Sequence, residues 1–255
     1  MLHILICINL KGSGKMTEYA IILGAASGIG EACYKKMISE YPNISYILVD
    51  KEVVNIRDGD KYIKTDLSNN EELEALLKEI DDLSGKIIFL VNSVGYQENI
   101  DVLDISKYDM LKMFETTVFS IFKIEQLVLK KMIKYQTNNQ SIVNVTSIHS
   151  NIIREIAHYS SAKAALTMLS RELAYRVAEY NIRVNCIEPG STLTPLLKKD
   201  LYNDTLINEA AKNIPMKRHA HPEEIAELAW FLVSEKSKYI TGVSIQCDGG
   251  LSLII

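Results

Sequence analysis

From residue 19 onward, short apolar runs rich in β-branched residues alternate with longer stretches whose apolar residues recur every three or four positions. An uninterrupted run of four to eight such residues reads as a strand buried on both faces, and the longer spacing reads as an amphipathic helix. The runs fall at 19–23, 44–49, 87–91, 141–145 and 182–187, with 61–64 as a shorter candidate. The helical stretches cover roughly 29–40, 70–82, 107–135, 158–180 and 222–234. Asp66-Leu-Ser-Asn-Asn-Glu-Glu offers several caps for the second of these, and Pro222-Glu-Glu suits a first helical turn. Such alternation demands right-handed crossovers, and so a parallel sheet covered by helices on both faces. No composition break, linker or repeat interrupts the pattern. The expectation is an α/β chain with one doubly wound domain and a sheet of about seven strands.

The 255 residues suffice for one such domain with a sizeable core, at 47% hydrophobic and 24% charged. A formal charge of −4, with no basic face in the pattern, argues against nucleic acid as a partner. Cys7, Cys33, Cys186 and Cys247 are far apart and read as buried thiols in a reducing, cytoplasmic setting. His219 and His221 lack a convincing set of companion ligands, so no metal is assigned. Residues 1–10 are apolar but too short to span a bilayer, and they lack the basic start and cleavage site of a signal peptide; no membrane association is expected. Met16 stands immediately before the first strand, and Lys11-Gly-Ser-Gly-Lys15 can be encoded by a purine-rich, ribosome-binding stretch. Residues 1–15 are therefore expected to be a non-native or disordered extension and residues 16–255 the domain. The alternative is a short extension that pairs at a sheet edge.

Directly after the first strand comes Gly24-Ala-Ala-Ser-Gly28-Ile-Gly30, and then a helical pattern. Glycines serve where the chain turns tightly and where a pyrophosphate approaches backbone, while the helix start offers free N–H groups and the positive end of a dipole. Ser27 adds a hydroxyl donor and Ile29 a backbone N–H. The second strand ends in Asp50, 26 residues after Gly24. That is the place for a carboxylate that binds ribose hydroxyls and repels a 2′-phosphate. NAD(H) is favoured on this ground, with NADP(H) open because Lys51 follows. Asp66 closes the third strand, where it could touch adenine beside Leu67 or cap the next helix.

Ser147 ends the fifth strand twelve residues before Tyr159, and Tyr159-Ser-Ser-Ala-Lys163 sets a phenol and an ammonium at i and i+4 on one helix face. A phenol titrates near 10 and is a poor base at neutral pH, but a neighbouring ammonium brings it toward the working range. The pattern predicts Tyr159 as general acid/base with its pKa lowered by Lys163. Ser147 would hold the substrate oxygen and Lys163 would also hold the nicotinamide ribose.

Taken together, these motifs resemble the short-chain dehydrogenase/reductase family, a Rossmann-fold group, over residues 17–253. The landmarks are Gly24 to Gly30, Thr65-Asp66, Asn92-Ser-Val-Gly95, Ser147, Tyr159 to Lys163, Arg183-Val-Asn-Cys-Ile-Glu-Pro189-Gly190, Thr194-Pro195 and Asp248-Gly-Gly250. The resemblance implies that Pro189 and Gly190 pass beside the nicotinamide, and that Thr194 bonds its carboxamide with the backbone of Ile187 and Thr192 nearby. It also implies that Asn92 steadies the central strand near the adenosine ribose and that Gly95 lies close to the cofactor. Two positions depart from the family pattern. Val94 is bulky for its place, and the asparagine that many members carry midway along the fourth long helix aligns with Thr117, Thr116 being the near alternative. Thr117 is expected in the proton relay, although a threonine hydroxyl can be spent on a backbone carbonyl.

Residues 192–217 are expected to form a mobile lid whose Leu193, Leu196, Leu197, Leu201, Leu206 and Ile207 favour an alicyclic, steroid-like or acyl-type substrate. His149 and Arg154 could line the pocket mouth or be solvated loop groups, and His158 is expected to point away from Tyr159. The helices near 107–135 and 158–180 carry apolar residues on more than one side: Phe114, Phe119, Phe122, Leu127, Leu166, Leu169 and Tyr175. By resemblance this implies a homo-oligomer, a tetramer or dimer. The expected activity interconverts a secondary alcohol and its ketone. The alternatives are an NADPH-preferring 3-oxoacyl-type reductase and an impaired dinucleotide sensor or scaffold.

Overall fold

Ala20, Ile21, Ile22 and Leu23 have no exposed surface, which is what an interior strand with helices on both faces requires. In the computed structural model, which describes residues 16–201 and 203–254, these residues form β1 (Glu18–Leu23). The extension ahead of Met16, with Cys7, lies outside the described residues. The chain continues through α1 (Gly28–Glu40), β2 (Ser45–Asp50), β3 (Lys61–Lys64), α2 (Asn70–Asp81) and β4 (Lys86–Asn92). Next come α3 (Lys107–Phe114), a π-helical turn (Glu115–Phe119), α4 (Ser120–Lys134), β5 (Gln140–Val145), α5 (Ala157–Val177) and β6 (Ile182–Pro189). Last are α6 (Pro195–Leu201), α7 (Asp204–Lys212), α8 (Pro222–Val233) and β7 (Ser244–Cys247).

The sheet is parallel throughout, in the order β3-β2-β1-β4-β5-β6-β7. Strand order reverses between β1 and β4, which opens a crevice at their carboxyl ends. Alternation along β1 divides the core. Ile21 and Leu23 pack with Leu73, Ile124 and Leu166 of α2, α4 and α5, and Ala20 and Ile22 pack with Cys33, Met37 and Ile225 of α1 and α8. Each large side chain buried in this way contributes about 1.5–3 kcal/mol.

Several boundaries differ from the sequence expectation. The helix expected over 107–135 is split by the π turn. Asn69, not Asp66, caps α2, accepting from the amides of Glu71 and Glu72. Pro222 does open α8, with Glu224 reaching back to the His221 amide. β7 escaped the strand pattern because an edge strand with Ser244 and Gln246 on it is only half apolar. The many-sided apolar pattern of the long helices resolves into three groups: Leu166 in the core, Phe114, Phe122, Leu127 and Leu169 half-buried, and Phe119 and Tyr175 exposed. No helix among the described residues is long and apolar enough to cross a membrane.

Candidate active site

A cleft of about 1010 Å3 opens where the carboxyl ends of β1, β4, β5 and β6 meet α6 and α7. Its dinucleotide end starts at Gly24, which adopts φ +77°; a Cβ there would lie 2.9 Å from the Ser93 carbonyl carbon. Ser27 makes no side-chain capping bond, so the first amides of α1 stay turned to the cleft. Asp50 lines the same wall and is held rigidly, one oxygen accepting from the Ala26 amide at 2.9 Å and the other from the Glu52 amide at 3.0 Å. The glycine turn and the strand-end acid thus form one unit. Asp66 and Leu67 also line the cleft. Burial acts to raise the Asp66 carboxyl, but two hydrogen bonds from Ser68 outweigh it and hold the group below its ordinary range. Gly30 does not face the cleft; it lets α1 lie against the Gly24 carbonyl. Asn92 is fully buried beneath it, bonded to Asn144 and to the Val94 amide. A negatively charged dinucleotide would fit this end: the free amides of α1 could face its phosphates and the fixed Asp50 carboxylate its ribose hydroxyls.

Ser147, Tyr159 and Lys163 all open onto the other end. Burial pushes the Tyr159 phenol above its ordinary 10, and a hydrogen bond with Ser147 and the positive charge of Arg154 pull in the opposite direction. This corrects the expectation that Lys163 lowers the phenol, because desolvation wins and the compensating cation is Arg154. Lys163 lies 5.9 Å from the phenol ring centroid. Burial brings its own pKa down to about 8, and its ammonium donates to the carbonyls of Val94 and Val145 at 3.1 and 3.0 Å. An ammonium has three donors, so one remains for the cleft. His149 stacks edge-on to Tyr159, with ring centroids 6.4 Å apart, and burial with Arg154 nearby lowers it to about 4. It is a neutral wall of the site, not a solvated loop group.

Thr117, the threonine expected in the relay, does not line the cleft; its neighbour Thr116 does. Thr117 is buried and donates to the Met113 sulfur at 3.6 Å, while Thr116 lines the cleft with its hydroxyl donating to the Lys112 carbonyl. The π turn adds one residue to the helical repeat and so rotates Thr116 inward; an apolar periodicity count cannot register that insertion. His158 is fully buried and is not part of the cleft wall.

The segment expected to form a lid borders this cleft. Pro189, Gly190, Thr192 and Thr194 lie along it, and a Cβ on Gly28 would lie 3.1 Å from the Thr194 methyl. The glycine turn and the loop after β6 therefore face each other at contact distance. Leu196, Leu197 and Leu201 turn into the cleft; Leu193, Leu206 and Ile207 do not. Sequence reading missed Ser191. Its hydroxyl meets His219 Nδ1 at 2.8 Å, while His219 Nε2 meets the Ile207 carbonyl at 2.7 Å. The carbonyl can only accept, so Nε2 donates to it, while Nδ1 and the Ser191 hydroxyl share the second hydrogen bond. The ring ties the loop after β6 to α7, which a lone histidine at a turn does not signal.

Known proteins resemble this chain along most of its length. A family model described as enoyl-(acyl carrier protein) reductase matches residues 24–252. The oxidoreductase UcpA of Salmonella typhimurium is 30% identical, covering 94% of this chain and 97% of its own. A 3-oxoacyl-[acyl-carrier-protein] reductase of Chlamydia muridarum is 31% identical over 93% and 98% of the two chains. The structure of a 4-hydroxyisoleucine dehydrogenase complexed with NADH superposes with a TM-score of 0.85 at 28% identity, over 93% of this chain and 99% of that one. The chain therefore belongs to the short-chain dehydrogenase/reductase family, Rossmann-fold oxidoreductases that use NAD(P)(H).

Proposed function

We propose that this oxidoreductase interconverts a secondary alcohol and its ketone, with NAD(H) as the favoured cofactor and Tyr159 as general acid/base. The observation that carries the reading is the convergence of Ser147, Tyr159 and Lys163 on the cleft that begins at the Gly24 turn, with the phenol hydrogen-bonded to the serine. The amides around Gly24, Ser27, Gly28 and Ile29 would hold the pyrophosphate, and Asp50 the adenosine ribose. Lys163 would hold the nicotinamide ribose, while Gly95, Pro189, Gly190, Thr192 and Thr194 would enclose the ring. Bound there, the nicotinamide supplies or accepts the hydride. The protein moves the proton. With its pKa raised by burial, the phenol is protonated at neutral pH, which suits donation to a ketone oxygen held by Ser147. In the oxidative direction the phenol first gives up its own proton to solvent, and the phenolate oxygen then takes the alcohol proton. The apolar wall of Ile148, Ile153, Leu196 and Leu197 favours an alicyclic or acyl-type substrate. Self-association through the long helices is part of this reading, since Phe119, Met168 and Tyr175 are exposed on them; sedimentation of the purified protein tests it.

The decisive experiment follows nicotinamide absorbance across a panel of alcohols and ketones, with NADH and NADPH, for wild type and Tyr159→Phe. The variant is expected to lose at least about 100-fold in kcat and to keep its NADH affinity within twofold. Undiminished turnover would remove Tyr159 from the mechanism. A strong preference for NADPH with 3-oxoacyl thioesters would replace the cofactor and substrate assignment, and tight NADH binding without any turnover would favour a sensor.

A further inference from the structure

Glu125 on α4 has no exposed surface. One of its oxygens accepts from Asn144 Nδ2 at 2.7 Å, and the other has no partner. Asn144 Nδ2 also donates to Ser170 Oγ at 2.9 Å, and its Oδ1 accepts from Asn92 Nδ2 at 2.8 Å. Asn92 Oδ1 accepts from the Val94 amide at 3.1 Å, and the carbonyl of that same residue accepts from Lys163. A continuous path thus runs from a buried acid through two side-chain amides to one of the two carbonyls that anchor the Lys163 ammonium.

The path has a polarity, and Glu125 sets it. Above about pH 7, where Glu125 is ionised, its carboxylate only accepts, so Asn144 must turn its NH2 group toward Glu125 and its oxygen toward Asn92. Asn92 must then give its NH2 to Asn144 and its oxygen to the Val94 amide. Without the acid, Asn144 can rotate by half a turn and reverse both partners, leaving the Val94 amide facing a donor. Ser170 favours the same direction, since its one hydrogen goes to the Leu166 carbonyl at 2.7 Å, but it does not lock it: a hydroxyl can turn and give that hydrogen to a reversed Asn144. We infer that Glu125 is a positioning residue for the reaction: by fixing the direction of the Asn144–Asn92 relay it aims the Val94 carbonyl at Lys163. The inference rests on the role assigned above to Lys163. Burial raises the Glu125 carboxyl to about 7, partly offset by the Asn144 bond, a desolvation cost that an apolar residue would avoid. The titratable group beside it is the buried thiol of Cys186 on β6, whose own rise to about 12 comes chiefly from burial, with Glu125 contributing. Cys186 in turn acts on Lys163.

The test compares Glu125→Met and Glu125→Gln with wild type. Methionine is close in volume and removes a buried charge, and circular dichroism verifies the fold. In the cofactor-free protein, acetylation of Lys163 by acetic anhydride, followed by peptide mass spectrometry, is expected to speed up at least threefold in Glu125→Met. Its kcat is expected to fall about tenfold. Glutamine can still present an oxygen to Asn144 and should bring both values back to within about threefold of wild type. Unchanged Lys163 reactivity and kcat in Glu125→Met overturn the inference, as does a Glu125→Gln variant impaired as severely as Glu125→Met. Tyr159→Phe, assayed alongside, separates the two readings. If that variant is fully active, the catalytic assignment fails, while Lys163 acetylation, measured without cofactor or substrate, still judges Glu125.

Discussion

Gly30→Ala isolates the contact on which the dinucleotide end depends. A Cβ at Gly30 would stand 1.9 Å from the Gly24 carbonyl oxygen and 2.7 Å from its carbon, where real Cβ contacts essentially never fall below 3.0 Å. The gap must therefore widen by about 1.1 Å, against backbone atoms that resist displacement. Gly24 cannot retreat, because its amide is bonded to the Val49 carbonyl at 2.8 Å and Ser93 backs its α-carbon. The start of α1 must move instead, carrying its free amides away from the cleft. Forced overpacking costs about 1–3 kcal/mol, which for a chain of this length lowers Tm by roughly 2–4 °C per kcal/mol. A displacement of that size also stretches amide–phosphate hydrogen bonds beyond bonding distance. Two charge-assisted bonds at about 1.5 kcal/mol each correspond to a roughly 100-fold weaker NADH complex. Fluorescence titration with NADH and differential scanning fluorimetry measure both effects. Gly59→Ala is the control: its Cβ meets nothing within 4 Å, and only its φ of +89° opposes substitution, so it should cost about 1 kcal/mol and leave NADH affinity unchanged. Gly30→Ala with NADH affinity within twofold and an unaltered Tm would refute the argument.

Asp50→Ala should lower the ratio of NADH to NADPH affinity at least tenfold, since it removes a carboxylate fixed by two amides; an unaltered ratio in paired titrations would assign ribose recognition elsewhere. Glu125→Gln tests linkage. The carboxyl is raised to about 7 in the folded chain from an ordinary 4.5, so its contribution to stability is greatest below about pH 4.5 and is lost as pH rises past 7. The stability of the variant relative to wild type should therefore grow by about 3 kcal/mol between pH 4.5 and 8.5; parallel urea-denaturation curves would contradict this. Arg183→Met removes a buried guanidinium that donates to the carbonyls of Leu232 and Ser234, to Ser237 and to Asn139. A loss of about 3 kcal/mol with unchanged NADH affinity is expected, and a Tm within 2 °C of wild type would show that these groups find other partners.

The sequence by itself determined the layered parallel sheet, because interior strands must be apolar throughout and amphipathic helices must cover them. It also determined the glycine turn with Asp50, since each tolerates few residue types at its place, and the spacing of Ser147, Tyr159 and Lys163. Tertiary structure alone decided the rest. The π turn set Thr116, and not Thr117, on the cleft wall, because backbone hydrogen bonding and not side-chain pattern sets the helical phase. Burial raised Tyr159 where spacing had implied a lowered phenol, because desolvation depends on everything packed around a group. The Glu125 relay and the Ser191–His219 bridge join residues 19 to 52 positions apart. Only the folded chain brings such groups within hydrogen-bonding distance, and one-dimensional periodicity carries no record of it.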